Sequence, residues 1–136
     1  MDTTFSHDVV ATRIATRWTA RVLSGIPILF LLFDAAFKLI SPPAVIEGSK
    51  KLGIPAELSP VFGLVLLACV ALYAVPRTAP LGAVLLTGYL GAAVFVHVRV
   101  GDPLFTHTLF PIYVATFAWL GLYLRDGRVR RLLAAR

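Results

Sequence analysis

Cysteine is nearly absent: Cys69 stands alone, which excludes an internal disulfide and a C-x-x-C redox pair. Charge is scarce as well. Asp, Glu, Lys and Arg make up 15% of the residues, against about 25% in soluble domains. No stretch alternates polar and apolar residues as a strand does, and no internal repeat recurs. A Gly-rich phosphate loop and a nucleophile elbow are both missing. The tails are short and no loop is long, so no soluble module is available to carry catalysis or to present basic residues to nucleic acid. No cleavable signal peptide is expected. The first apolar run starts after roughly twenty mostly polar residues and is too long for a signal core.

What the chain has in abundance is apolar length. It is 58% hydrophobic, with a mean hydropathy of +0.83. Four apolar stretches cover residues 22–40, 58–75, 79–98 and 104–124. A bilayer core about 30 Å thick is crossed by about 20 helical residues. Lipid offers the backbone no hydrogen bonds, so spans of this length must be helices. The expected fold is an all-α membrane protein: an antiparallel, up-down-up-down bundle of four transmembrane helices. Residues 1–136 form a single integral membrane domain. Arg13, Arg17, Arg21, Arg77, Arg125, Arg128, Arg130, Arg131 and Arg136 flank the spans on one side. The other side holds Lys50 and Lys51, with Lys38 and Arg99 at helix ends. The positive-inside rule therefore predicts that both termini are cytoplasmic. The segment 12–21 reads as a short interfacial helix, with Trp18 at headgroup depth.

Local signals divide the chain further. Ser41-Pro42-Pro43 stops the first span, which carries Pro27 near its start. Residues 44–52 fit a short surface helix, closed by Gly53 at its C′ position and Pro55 beyond it. The links at Pro76–Pro80 and Arg99–Pro103 are tight, so neighbouring spans run antiparallel. Span three is rich in small residues, and Gly88, Gly91 and Ala92 are the predicted helix-packing positions. Pro111 predicts a kink in span four, and Trp119 and Tyr123 mark its interface.

Polar groups gather at one end. Asp34 and Lys38 are four apart, on one helix face. Asp34 lies roughly 9 Å inside the end of its span, a costly depth for an unpaired carboxylate. His97 ends span three, Arg99 and Asp102 occupy the turn after it, and His107 starts span four. Asp34, Lys38, His97, Arg99, Asp102 and His107 are the candidate polar site; Glu57 lies nearby. A structural alternative stands beside this one, in which Asp34–Lys38 locks two helices and Arg99–Asp102 ties the turn. A haem clamped by His97 and His107 has no other support in the chain. The ligand spacing is too loose to predict a metal site. Thr87 is expected to bond its own helix, and Tyr89 and Cys69 to pack.

These residues resemble the DoxX-like family of small four-helix bacterial membrane proteins. The resemblance rests on Asp34 with Lys38-Leu39, on Leu52-Gly53-Ile54-Pro55, and on Pro76-Arg77-Thr78. It rests most on the run Leu85 to Ala93 with His97-Val98-Arg99-Val100-Gly101-Asp102-Pro103, and it ends with Trp119 to Asp126. It spans roughly residues 18–132 and implies a four-helix fold in the bacterial inner (plasma) membrane, crossed several times. Some relatives are subunits of quinone-linked or thiol-related oxidoreductase systems. One departure stands out: members often carry Glu where this chain, three residues after Gly63, has Leu66.

Three functions compete. The first is a subunit or accessory of a membrane redox system, with the polar end binding a quinone-like or small oxidisable ligand and a protein partner supplying electron transfer. No cofactor is evident from the sequence alone, and no catalytic nucleophile is found. The second is a small four-helix transporter or exporter using Asp34. The third is a non-catalytic assembly protein, or a homo-oligomer, joined through the Gly88–Ala92 seam. All three place the chain in the lipid bilayer and none involves nucleic acid.

Overall fold

The computed structural model describes residues 3–135, and among these every regular element is helical. Four helices are long and apolar enough to cross a membrane, as expected. Helix α1 (Thr3–Ile40) runs without interruption through the segment predicted to lie on the surface, so no separate interfacial helix forms. Residues 12–21 hold no stop signal before Val22, the Thr16 and Thr19 hydroxyls donate to the carbonyls of Thr12 and Ala15 a turn before, and the helix continues through Pro27, which is buried. Helix α2 (Pro43–Lys51) starts on a proline at its first position and ends at Gly53. There φ is +66°, the Gly53 amide donates to the Lys50 carbonyl, and Ile54 donates to the Ser49 carbonyl. This is a Schellman ending. A 3-10 turn (Ala56–Leu58) leads into α3 (Ser59–Ala74), followed by α4 (Ala79–Val100). The fourth span begins as a π-helical turn (Leu104–Thr108) and restarts as α5 (Phe110–Arg125), with Pro111 in its first turn. The expected proline kink is thus a break and restart. Helix α6 (Gly127–Ala134) is short and amphipathic.

The spans form a ring: α1 packs on α3 and α5, and α4 packs on the same two. Helices α1 and α4 therefore face each other across the diagonal. The core between them holds Leu31, Ala35, Leu66, Val70, Tyr73, Leu86, Ala118 and Leu122. Leu66 is fully buried.

Glycine sets the closest helix approaches, at positions the sequence did not single out. A Cβ on Gly82 would stand 2.2 Å from the Tyr73 nitrogen, and one on Gly121 would stand 2.7 Å from the Ser24 nitrogen. Gly63 is the next closest: a Cβ there would stand 3.0 Å from the Ala35 carbonyl oxygen and 3.1 Å from the Leu39 nitrogen of α1. Gly88 and Gly91 have open space beside them, and with Ala92 they are exposed, so these three do not make the close contacts within the chain.

The arginine-rich end is tied by charge-assisted bonds to carbonyls. Arg125 donates to the Tyr73 carbonyl at 2.8 Å and lies over the Tyr73 ring. The Tyr73 hydroxyl in turn donates to the Ala118 carbonyl at 2.7 Å. Arg128 donates to the Pro76 carbonyl and to Asp126, which caps α6 by accepting from the Arg128 amide. The hydrogen bond from Arg128, more than any other influence, holds the Asp126 carboxyl down at about 2.

Candidate functional site

A cavity of about 350 Å³ opens between α1 and α4 at the end of the bundle opposite the arginines. The local helical period explains its walls. Stepping back four residues at a time from Lys38 along α1 gives Asp34 and Phe30, and all three line the cavity. The same step along α4 gives His97, Ala93 and Tyr89, which form the facing wall. Phe62 comes from α3, and Phe110, Pro111 and Val114 from the start of α5. Phe30 and Phe110 meet edge to face with ring centres 5.1 Å apart, closing the α1/α5 side. Leu52 and Ile54, from the segment after α2, also line it.

The polar groups come as two pairs. The Lys38 ammonium forks onto both carboxylate oxygens of Asp34 at 2.5 Å, and both side chains are about two-thirds or more buried. The second pair arises from the turn after α4. Gly101 has φ +74°, the Gly101 amide donates to the Val98 carbonyl, and the Asp102 amide donates to the His97 carbonyl. This Schellman ending folds the residue after the glycine back onto the helix. It sets the Asp102 carboxylate 2.6 Å from His97 Nδ1. A carboxylate only accepts, so Nδ1 carries the proton and donates, and in the neutral imidazole Nε2 keeps its lone pair. Five residues of separation therefore produce a backed imidazole.

Of the six candidate residues, three line the cavity: Asp34, Lys38 and His97. Asp102 stands behind His97. Arg99 is exposed and turns away, donating to the Leu52 carbonyl at 2.5 Å. Its guanidinium would meet any Cβ on Gly53 at 2.9 Å, so Gly53 serves both the left-handed turn and this contact. Arg99 thus pins the Leu52–Ile54 cover to α4. His107 is exposed on the π-helical turn, its ring centre 6.0 Å from that of His97 and its Nδ1 paired with the Thr106 hydroxyl. Glu57 is exposed on the 3-10 turn. Among the described residues, no three His, Cys, Asp or Glu side chains converge as metal ligands.

The aromatic walls were not named from the sequence, although the i, i+4 steps from Lys38 and His97 point to Phe30 and Tyr89. Tyr89 was expected only to pack; it touches the core and also lines the cavity. Thr87 bonds the Ala83 carbonyl as expected, and it also accepts from the Trp119 indole at 2.8 Å.

A family model described as the DoxX-like family matches residues 22–121, a span that includes every residue of the cavity. No curated protein and no solved structure matches the chain.

Proposed function

The chain belongs to the DoxX-like family, and we propose that this multi-pass membrane protein is a subunit of a redox system of the bacterial inner membrane, binding a quinone-like ligand between α1 and α4. The observation that carries this reading is the cavity itself. Its volume of about 350 Å³ suits a small-molecule site. Its walls are apolar and aromatic, with polar groups at few points. A flat ring with oxygen at its edges fits such walls: Phe30, Phe62 and Phe110 cover the faces, and His97 and Lys38 meet the oxygens.

A bound quinone supplies the electron chemistry, and the chain supplies binding, orientation and proton groups. With the ligand in its reduced, quinol form, His97 Nε2 would take the proton of one ring hydroxyl as the ring gives up its electrons to the partner subunit, the second proton leaving to water, and the Asp102 carboxylate behind it would steady the imidazolium that results. The exposed His107 ring lies 6.0 Å from that of His97, centre to centre, so the proton would have a short way to solvent. Lys38 donates to an oxygen of the ligand while Asp34 balances its charge. The excess of arginine at the far end supports a topology with both termini in the cytoplasm and the cavity at the outer surface. Electrons pass to a partner subunit.

The test is retention and binding. Protein purified in mild detergent should carry a quinone detectable by mass spectrometry, and a short-chain quinone should quench its fluorescence in a saturable way that His97→Ala weakens. No retained quinone and no saturable quenching would sink the proposal.

A further inference from the structure

A second concave feature shares Leu90 and Pro111 with the first and extends to the arginine-rich end. A groove of about 490 Å³ runs along the lipid-facing seam between α4 and α5. Its lining is almost wholly apolar, and Gly91 and Ala115 give it depth. Its foot is at Tyr123 and Leu133. There α6 brings basic groups to it: Arg130 is three residues before Leu133, on the same helix face. Arg130 Nη1 donates to the Leu124 and Tyr123 carbonyls, which fixes the guanidinium at the groove's end. Arg130 and Arg131 also edge a shallow dish beside it, with Gly127 and Ala134. Arg131 is exposed and has no hydrogen bond or ion pair among the described residues.

We propose that this groove binds one anionic phospholipid, the acyl chain lying between α4 and α5 and the phosphate at Arg130 and Arg131. Charge complementarity decides the occupant. A neutral acyl chain alone has no reason to choose this seam, and a second copy of the chain would bring the same arginines against themselves. A phosphodiester answers both the apolar length and the cations at its foot. The Trp119 indole lines the groove, held by its bond to Thr87, and so provides the reporter.

The experiment uses Trp18→Phe protein, leaving Trp119 as the one tryptophan, reconstituted in phosphatidylcholine vesicles. Brominated phosphatidylglycerol or brominated phosphatidylcholine is added at equal mole fraction. The anionic lipid is expected to be enriched about fivefold at Trp119 for each arginine engaged. That preference should fall with salt and disappear in Arg130→Gln/Arg131→Gln. Ala115→Phe, which fills the groove, should reduce quenching by both lipids. Equal quenching by the two lipids in the parent protein overturns the proposal, as does a preference that survives the double arginine variant. Protection of Trp119 from both lipids would show a protein helix in the groove and overturn it too.

Discussion

Gly82 and Gly88 lie six residues apart in α4, and alanine at each should have opposite consequences. A Cβ at Gly82 would stand 2.2 Å from the Tyr73 nitrogen, 2.5 Å from its Cα and 2.7 Å from the Leu72 carbonyl carbon. Ordinary contact needs about 3.5 Å. Helices α3 and α4 would have to part by about 1 Å. All three obstructing atoms are backbone, so no rotamer change can relieve them. Overpacking a core costs about 1–3 kcal/mol, and a clash of backbone against Cβ belongs at the upper end. The movement also disturbs Tyr73, whose hydroxyl and carbonyl hold α5 and Arg125. A loss of about 3 kcal/mol lowers the folded-to-unfolded ratio on the order of a hundredfold. At Gly88 a Cβ would meet nothing within 4 Å. Alanine there gains up to about 1 kcal/mol of helix propensity and loses no contact. Denaturant titration of the two variants in one mild detergent, followed by circular dichroism, separates them. Were Gly82→Ala to unfold with the parent, or Gly88→Ala to be the weaker of the two, the helix spacing described above would be wrong.

Four further outcomes follow from the site and the arginine-rich end. Lys38→Met leaves Asp34 unpaired and should cost about 1–3 kcal/mol, less than for a fully buried pair, with Asp34→Leu in the same chain restoring most of it in thermal unfolding. His97→Ala removes one hydrogen bond of about 1.5 kcal/mol to the ligand, so titration with a short-chain quinone should show affinity lowered about tenfold. Arg99→Gln releases the Leu52 carbonyl, and amide exchange over residues 43–54 should rise about fivefold. The Asp126 carboxyl is depressed to about 2 from an ordinary 3.8, so its capping of α6 is fully present above 3.8 and is lost as pH falls through about 2. Acid titration followed by exchange at the Arg128 amide should show α6 loosening only in that window, and Asp126→Asn should abolish the dependence.

Most of the architecture was legible because lipid leaves the chain few choices. Apolar length gave the four spans, and proline and glycine gave their ends; Gly53 and Gly101 close helices at positive φ as their positions implied. Helix-end clustering brought Asp34, Lys38 and His97 to one place, because antiparallel spans that cross the same apolar thickness align their ends. Other features depend on facing directions, which spacing alone does not supply. A small-residue pattern marks where a close approach is allowed, not where it occurs. Gly88 and Ala92 therefore looked like the seam, while the approaches fall at Gly63, Gly82 and Gly121. Arg99 was grouped with the site by depth, yet its side chain points to the cover over the cavity. The continuous α1 shows a further limit: arginines and Trp18 mark an interface without ending a helix there.

The pairing within the cavity bears on which function it serves. A proton-coupled exporter of cations works by letting its substrate and the proton compete for one free carboxylate. Asp34 is not free. Lys38 holds both of its oxygens, so a cationic substrate would have to displace an ammonium already in place. His97 Nδ1 is taken up by Asp102, whose carboxylate does not line the cavity. With Asp34 held by Lys38 and the Asp102 carboxylate behind His97 and off the cavity wall, the lining offers no open anion, which favours a neutral ligand that hydrogen-bonds at its edges. A lipophilic cation should therefore fail to compete with a short-chain quinone for the cavity. If such a cation does compete, and Asp34→Asn abolishes its binding, the exporter reading replaces the redox one.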